Sequence, residues 1–256
     1  MFKSNGEYFS STRIAFIAMF STLAGVLYAF NFAIPTVFPS WLELQFSDIP
    51  ALIGTFSLGP VSGVIITVVK ILIKLLIKST STVFVGELAD LLIGCAFVVP
   101  AGLIYKYHRS FKGALVGMLV GTAASITLSM LFNWLVLVPF YVQLFFGGSW
   151  NPILGIMSGI FPSCTRDNFY VLYIFCSVLP FNAIRCAAAV AVSAPLYKRI
   201  SVLIRKVNLK LAPKNSQAEG ETATVRMAKS DVIAISLAAA AVALLVLFAL
   251  LRYFVF

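Results

Sequence analysis

Metal-binding and ionisable side chains are scarce in this sequence. Only 11% of its 256 residues are charged, and it contains one histidine and four cysteines. The cysteines show neither a C-x-x-C spacing nor a pairing with histidine, so we predict no metal site. The sequence also lacks a phosphate-binding loop and any arrangement of a nucleophile with a base, so we expect neither nucleotide hydrolysis nor catalytic residues.

Hydrophobic residues, in contrast, make up 61% of the chain. A mean hydropathy of +1.00 means more apolar surface than a soluble domain can bury, so the composition predicts an integral membrane protein. The formal net charge is +10, which in a soluble protein would suggest a nucleic-acid partner. Most of the cations here lie at the ends of apolar runs, so we expect a lipid bilayer and no nucleic acid around the chain.

The apolar runs predict an all-α fold with six core helices and one additional C-terminal transmembrane helix. A spanning helix needs about 20 mainly apolar residues. The second run is short, and Gly59 and Pro60 separate it from the third, which is typical of a helix break. The predicted helices are residues 13–33, 48–59, 61–78, 84–105, 113–140, 174–197 and 231–252.

The chain is expected to contain three parts. Residues 1–205 form the predicted six-helix membrane core. Residues 206–230 are polar and contain proline and glycine, which predicts a flexible cytoplasmic linker. Residues 231–256 carry the additional transmembrane helix.

The distribution of lysine and arginine predicts the orientation in the membrane. Most of the 19 basic residues lie near the N-terminus, in 106–112 and in 198–229, whereas the loops 34–47 and 141–173 together hold only Arg166. Cytoplasmic loops are the ones enriched in positive charge. We therefore expect a cytoplasmic N-terminus and place those two loops outside.

Several charged side chains interrupt the apolar runs, where an unpaired charge is costly and marks a candidate functional site. Lys70, Lys74 and Lys78 recur every four residues along one predicted helix, and Glu87 and Asp90 share a face of the next. A pair between Lys74 and either acid is reasonable. Such a pair could be purely structural or could contact a ligand, and the sequence leaves both open.

Two amides and an arginine lie deep in later helices. Asn182 and Arg185 share one helix face, and Arg185 lies about 16 Å into its predicted helix, too deep for easy snorkelling. It either contacts a ligand or pairs with Glu87 or Asp90. Asn133 offers a donor and an acceptor together, although its chemistry alone favours a helix–helix hydrogen bond.

Small residues form two stripes. Gly113, Gly117 and Gly121 recur every four residues, which predicts close packing of two helices. A second stripe on the first helix either packs internally or docks another membrane protein. Its members, predicted as the partner-docking set, are Ser11, Ala15, Ala18, Thr22 and Gly25.

Four motifs together resemble the riboflavin-type substrate-binding subunits, or S components, of energy-coupling-factor (ECF) vitamin transporters. The resemblance covers roughly residues 10 to 205. The motifs are Leu44-x-Phe46-Ser47-Asp48-x-Pro50-Ala51, Gly59-Pro60-x-x-Gly63 with Lys70, Asn133-Trp134 with Pro139 and Tyr141, and Leu179-Pro180-Phe181-Asn182-x-Ile184.

The resemblance implies a multi-pass subunit of a bacterial plasma membrane that is not an enzyme and has no resident cofactor. It would bind riboflavin from outside and dock on a membrane-embedded coupling protein driven by two cytoplasmic ATPase subunits. Asn133 and the basic residue of the last core helix, here Arg185, would hold the flavin ring. The small residues of the first helix would contact the coupling protein.

The predicted pocket lies under the two outer loops, where aromatic stacking and a few hydrogen bonds would bind the vitamin. Phe46, Trp134 and Tyr141 are the candidates for stacking. The full predicted binding set is Asn133, Arg185, Phe46, Asp48, Lys74, Glu87, Asp90, Asn182, Trp134 and Tyr141.

The sequence departs from the family pattern near this pocket. In the family that this chain resembles, lysine is usual at the position of Arg185. Glutamine and asparagine are usual at the positions of Glu87 and Asp90, and aspartate is usual at the position of Gln45. Three alternatives therefore stay open: an S component for another vitamin or a flavin analogue, a membrane enzyme that modifies a lipid or isoprenoid, and a scaffold subunit without a ligand.

Overall fold

The computed structural model describes residues 11–80 and 82–211, which are mostly helical. The predicted helix 231–252, and the predicted linker beyond residue 211, lie outside the described residues. In chain order the elements are α1 (Ser11–Ala29), β1 (Phe32–Ala33), β2 (Glu43–Leu44), α2 (Asp48–Leu58), α3 (Pro60–Ile77), α4 (Val85–Tyr107), α5 (Phe111–Phe132), the π-helical segment π1 (Asn133–Leu137), α6 (Val138–Phe146), α7 (Asn151–Ile160), α8 (Phe169–Val171), the π-helical segment π2 (Leu172–Val178) and α9 (Leu179–Leu211).

Within the described part of the chain, five helices are long and apolar enough to cross a membrane, judged by length and composition. They are α1, α3, α4, the continuous unit α5–π1–α6, and the unit that begins at Phe169. Helix α2 has 11 residues and is shorter than a spanning helix needs.

The predicted break between α2 and α3 is confirmed at Gly59 and Pro60. Gly59 adopts a φ of +99°, which side-chain-bearing residues rarely adopt, and Pro60 begins α3, where its missing N–H removes no helical hydrogen bond. Arg13 Nη2 of α1 donates to the Leu58 carbonyl oxygen at 2.5 Å and to Ser62 Oγ at 2.9 Å. The first helix is thereby fixed against the break.

Helices α4 and α5 pack along the predicted glycine stripe. A Cβ atom added to Gly117 would lie 2.7 Å from the carbonyl oxygen of Ala101, and one added to Gly121 would lie 2.4 Å from that of Phe97. Glycine permits this approach because it places no side chain between the two backbones. The prediction that the stripe packs two helices is confirmed.

The predicted helix 113–140 is longer in the structure, where it runs from Phe111 to Phe146 with π1 inside it. Apolar side chains continue past residue 140, and the helix ends only at Gly147, whose φ is +55°. A glycine in this conformation is a common helix terminator. The first residues of the predicted loop 141–173 are therefore helical, and α7 lies within that loop.

The last described helical unit begins before the predicted helix 174–197 and ends after it. It is continuous from Phe169 to Leu211, so the first six residues of the predicted linker continue α9. Lysine, arginine and leucine are good helix formers. A boundary chosen from polarity alone therefore ends this helix too early.

A small antiparallel sheet closes the loop between α1 and α2, so the fold predicted as all-α is mostly helical with one two-stranded pair. Phe32 pairs with Leu44, and Ala33 pairs with Glu43. The pairing turns the loop back toward the helix ends. This return brings Trp41 and the residues near β2 to the cavity described next.

Candidate ligand cavity

A cavity lies between the helices at the end of the bundle that carries the β1–β2 pair. Its walls come from α1, the segment around β2, α3, α4, the α5–π1–α6 unit and α9. Seven of the ten residues predicted to bind a ligand line it, namely Lys74, Glu87, Asp90, Asn133, Tyr141, Asn182 and Arg185.

Asp48 lies directly behind the cavity and joins two buried cations. Arg185 Nε donates to Asp48 Oδ2 at 3.0 Å, while Lys70 Nζ donates to Asp48 Oδ1 at 2.7 Å and to Ser47 Oγ at 2.9 Å. Lys70 is 0% exposed, so its charge depends on these partners. Asp48 thereby links the start of α2 to α3 and α9, and it supports the cavity without lining it.

Asp90 connects α4 with α1 and α9 at the cavity surface. Its Oδ1 accepts a hydrogen bond from Arg185 Nη1 at 3.1 Å. Its Oδ2 accepts from the Tyr28 hydroxyl and from Gln45 Nε2. Of the alternatives left open for Arg185, the structure shows the pair with Asp90, and it adds a second partner, Asp48, that was not expected.

Lys74 and Glu87 form a second buried ion pair. Lys74 Nζ lies 2.5 Å from Glu87 Oε1, and Glu87 Oε2 accepts hydrogen bonds from Thr80 Oγ1 at 2.9 Å and Thr82 Oγ1 at 3.1 Å. Of the two partners predicted for Lys74, Glu87 is the one observed. Both groups line the cavity, so the pair is structural and within reach of a ligand.

Another part of the wall carries a hydrogen-bond network that includes both predicted amides. The Tyr173 hydroxyl donates to Asn133 Oδ1 at 2.6 Å, and Trp41 Nε1 donates to the same hydroxyl at 2.9 Å. Asn133 Nδ2 donates to the Ser129 carbonyl oxygen and Asn182 Nδ2 to Ser129 Oγ, each at 2.9 Å. Asn133 therefore makes the helix–helix hydrogen bond that its chemistry favoured.

This network joins the two π-helical segments. Asn133 begins π1, and Tyr173 lies in π2. A π-helical turn is rare, and it recurs at functional sites because it redirects side chains within an otherwise regular helix. The segments here turn an amide and a phenol toward the same cavity wall.

Tyr141 is the one stacking candidate that lines the cavity, where its ring packs edge-to-face on Trp41 with centroids 6.5 Å apart. The other two stacking candidates, Trp134 and Phe46, do not line the cavity. Trp134 is 52% exposed on the outside of the helix, because consecutive residues of a helix do not share a face. Phe46 is also exposed, with its ring against that of Phe32.

The small-residue stripe of α1 divides into an exposed and a buried part. Gly25 is buried, and a Cβ atom there would lie 2.6 Å from Ile73 Cβ of α3. This member of the stripe therefore packs internally. The exposed members are Ser11, Ala15, Ala18 and Thr22.

Eight polar or aromatic residues outside the predicted binding set also line the cavity, and of these the sequence had pointed only to Gln45. They are Tyr28, Asn31, Trp41, Glu43, Gln45, Thr82, Ser129 and Phe181. Ser129 could have been found, because it precedes Asn133 by four residues on the same face. For metal binding, no group of three or more His, Cys, Asp or Glu side chains in residues 11–80 and 82–211 is arranged to hold an ion.

Comparison with known proteins decides the family. The family model described as "ECF transporter, substrate-specific component" matches residues 12–197. The chain belongs to this family. The resemblance found in its motifs is therefore confirmed, and the S component is a multi-pass protein of a bacterial cell membrane.

Relatives of this S component include named transporters. It is 31% identical to "Riboflavin transporter RibU" of Staphylococcus aureus (strain TCH60), over 76% of this chain and 93% of the relative. It is 29% identical to "Riboflavin transporter FmnP" of Bacillus subtilis (strain 168), over 68% and 83%. These are transporter components, so the alternative of a lipid-modifying enzyme is wrong.

A solved structure also matches the S component. It is described as "Structure and mechanism of the S component of a bacterial ECF transporter", with a TM-score of 0.59 and 30% sequence identity. The match covers 76% of this chain and 98% of the solved one.

Proposed function

We propose that this chain is the riboflavin-binding S component of an ATP-driven importer. Its relatives are named riboflavin transporters, and the similarity to the first extends over 93% of that protein. The structural observation that carries the proposal is the cavity, in which seven predicted binding residues from separate helices converge.

The composition of the cavity suits a flavin. Small-molecule sites combine apolar walls with a few fixed polar groups. Trp41 and Tyr141 provide aromatic surface for the planar ring. The pyrimidine edge of a flavin presents a carbonyl, an N–H and a second carbonyl in a row, and the amides of Asn133 and Asn182 can donate and accept. Arg185 would donate to a ring carbonyl.

The proposal includes a topology and partners. The core would contain six helices with a cytoplasmic N-terminus, followed by an additional transmembrane helix, and the cavity would face outward. The chain would dock on a membrane-embedded coupling protein that works with two cytoplasmic ATPase subunits. The exposed small residues of α1 support this part, because small side chains let membrane helices approach closely.

A second candidate is an S component for another vitamin or a flavin analogue. The carboxylates of Glu87 and Asp90 favour it, since they add acceptor-only groups to the cavity. A ligand richer in hydrogen-bond donors than riboflavin would use them.

The deciding experiment is a binding measurement on the full chain, purified alone in detergent. We expect a flavin absorption spectrum or quenching of riboflavin fluorescence at near one-to-one stoichiometry. Asn133→Ala should weaken binding by about tenfold or more, because it removes a buried amide with its hydrogen bonds. The matched control is Asn151→Ala, an exposed asparagine at the start of α7. Folded protein that binds no flavin, but is stabilised by another vitamin in a thermal-shift panel, would favour the second candidate.

A further inference from the structure

The cations of the cavity are already neutralised by carboxylates. Within residues 11–80 and 82–211, each cation that lines the cavity contacts at least one carboxylate. Lys74 Nζ lies 2.5 Å from Glu87, and Arg185 lies 3.1 Å from Asp90 and 2.9 Å from Asp48. Glu43 adds a further lining carboxylate. The cavity therefore has two cations and three carboxylates on its surface.

At the mouth of the cavity the cation is likewise paired with a carboxylate. Lys78 Nζ lies 3.9 Å from Glu43, and the two side chains are 47% and 40% exposed. Lys78 also donates to Asn31 Oδ1 at 2.6 Å, and Asn31 donates to Glu43. An anion held at the mouth would meet a neutral, hydrated pair instead of a positive surface.

We infer that this cavity selects uncharged riboflavin over its 5′-phosphate, and that Glu87 and Asp90 determine this selectivity. The inference rests on the proposed function and narrows its substrate class. A phosphate monoester carries a charge of about −1.5 to −2 at pH 7. Removal of one carboxylate charge at about 6 Å from such a dianion changes the binding of the dianion about tenfold even with the dielectric constant of water. Partial burial increases this factor.

Rearrangement of the ion pairs does not remove the barrier. For Lys74 or Arg185 to bind a phosphate, it would have to leave Glu87 or Asp90. That carboxylate would then remain in the cavity without its cation, which is costly in a buried site. Discrimination against the flavin phosphate therefore follows from the two ion pairs, wherever in the cavity the phosphate would lie.

The two acids can be neutralised separately. Asp90→Asn removes one negative charge but leaves Arg185 paired with Asp48. Glu87→Gln leaves Lys74 without its carboxylate and so provides a cation for the phosphate. Both changes preserve shape and retain an oxygen that accepts hydrogen bonds.

The test is a titration of the full purified chain with riboflavin and with flavin 5′-phosphate, read by flavin fluorescence at constant ionic strength. We expect the parent protein to bind riboflavin at least about tenfold more tightly. Asp90→Asn and Glu87→Gln should each reduce that ratio by about tenfold. Glu87→Asp, which keeps the charge, and Asp167→Asn, an exposed loop acid outside the cavity, should leave it unchanged.

Each outcome decides the inference. Equal binding of the two flavins by the parent protein overturns it and leaves the proposed function standing. A ratio that Asp90→Asn does not change overturns the assignment to these carboxylates, even if Glu87→Gln fails to fold. A folded parent protein that binds neither flavin overturns both the inference and the proposed function.

Discussion

The α5–π1–α6 unit passes through two regions that differ in how their helices are held. One of its faces repeats every four residues and is buried throughout. Its residues are glycines in the first half, then serines, then an asparagine. In chain order they are Gly113, Gly117, Gly121, Ser125, Ser129 and Asn133.

In the first region, which we call the closed half, backbones and aromatic rings fill the interior. The Gly117 and Gly121 positions leave no room for a Cβ atom against α4. Nearby, the rings of Phe56, Tyr105 and Tyr197 pack with centroids 4.9 to 5.5 Å apart. Helix spacing here is set by direct contact.

In the second region, the cavity half, the same face carries hydrogen-bonding side chains and the helices stand apart. Ion pairs centred on Asp48, Glu87 and Asp90 bridge α2, α3, α4 and α9. Close contact of small residues can hold the closed half together. The cavity half instead needs ion pairs and hydrogen bonds whose side chains span the space between helices. Each half is therefore expected to depend on its own kind of contact.

The largest effect is expected from Asp48→Ala in the cavity half. Lys70, which is 0% exposed, would lose its carboxylate, whereas Arg185 would keep Asp90. Removal of one partner of a buried ion pair costs about 3–5 kcal/mol. We expect a large fall in Tm of the detergent-purified protein, or too little folded protein to purify.

A double variant separates lost charge pairing from lost packing. Asp48→Leu combined with Lys70→Met replaces the pair with apolar side chains, and such replacements are often neutral or stabilising. It should recover much of the Tm lost in Asp48→Ala. A single variant as stable as the parent protein would show that the ion pairs do not hold the cavity half together.

A smaller effect is expected from Gly121→Ala in the closed half. The new Cβ atom would lie 2.4 Å from the carbonyl oxygen of Phe97, so α4 and α5 must separate, at about 1–3 kcal/mol. Gly155→Ala is the matched control, because no atom of residues 11–80 and 82–211 lies within 4 Å of a Cβ atom there. The control should be neutral or slightly stabilising, since alanine favours helices. Equal Tm changes in the two variants would contradict close packing as the cause.

The closed half was largely predictable from the sequence. The glycine spacing and the Gly59-Pro60 break are local features whose consequences follow from backbone geometry. Part of the charged cluster was predictable as well. Charges inside an apolar run must find partners, so lysines and acids on neighbouring helices were expected to pair.

The cavity wall was less predictable, because an apolar helix in a membrane has little contrast between its inward and lipid-facing sides. Trp134 and Tyr141 both stand in an apolar run, yet only Tyr141 lines the cavity. Trp41 lies there because a loop folds back, and Tyr28 because of how α1 is rotated. No local residue pattern predicts the path of the loop or the rotation of α1.

The smallest effect on the isolated chain is expected at the exposed face of α1, which runs beside the closed half. Ala18→Leu adds an exposed apolar side chain and should change stability by no more than about 0.5 kcal/mol, with flavin binding unchanged. Co-purification with the coupling protein should fail, because a bulky residue prevents close helix approach. Ala123→Leu makes the same change at an exposed position of α5 and should assemble normally. Normal assembly of Ala18→Leu would mean that this face contacts lipid, and that the small residues of α1 matter only where Gly25 packs on α3.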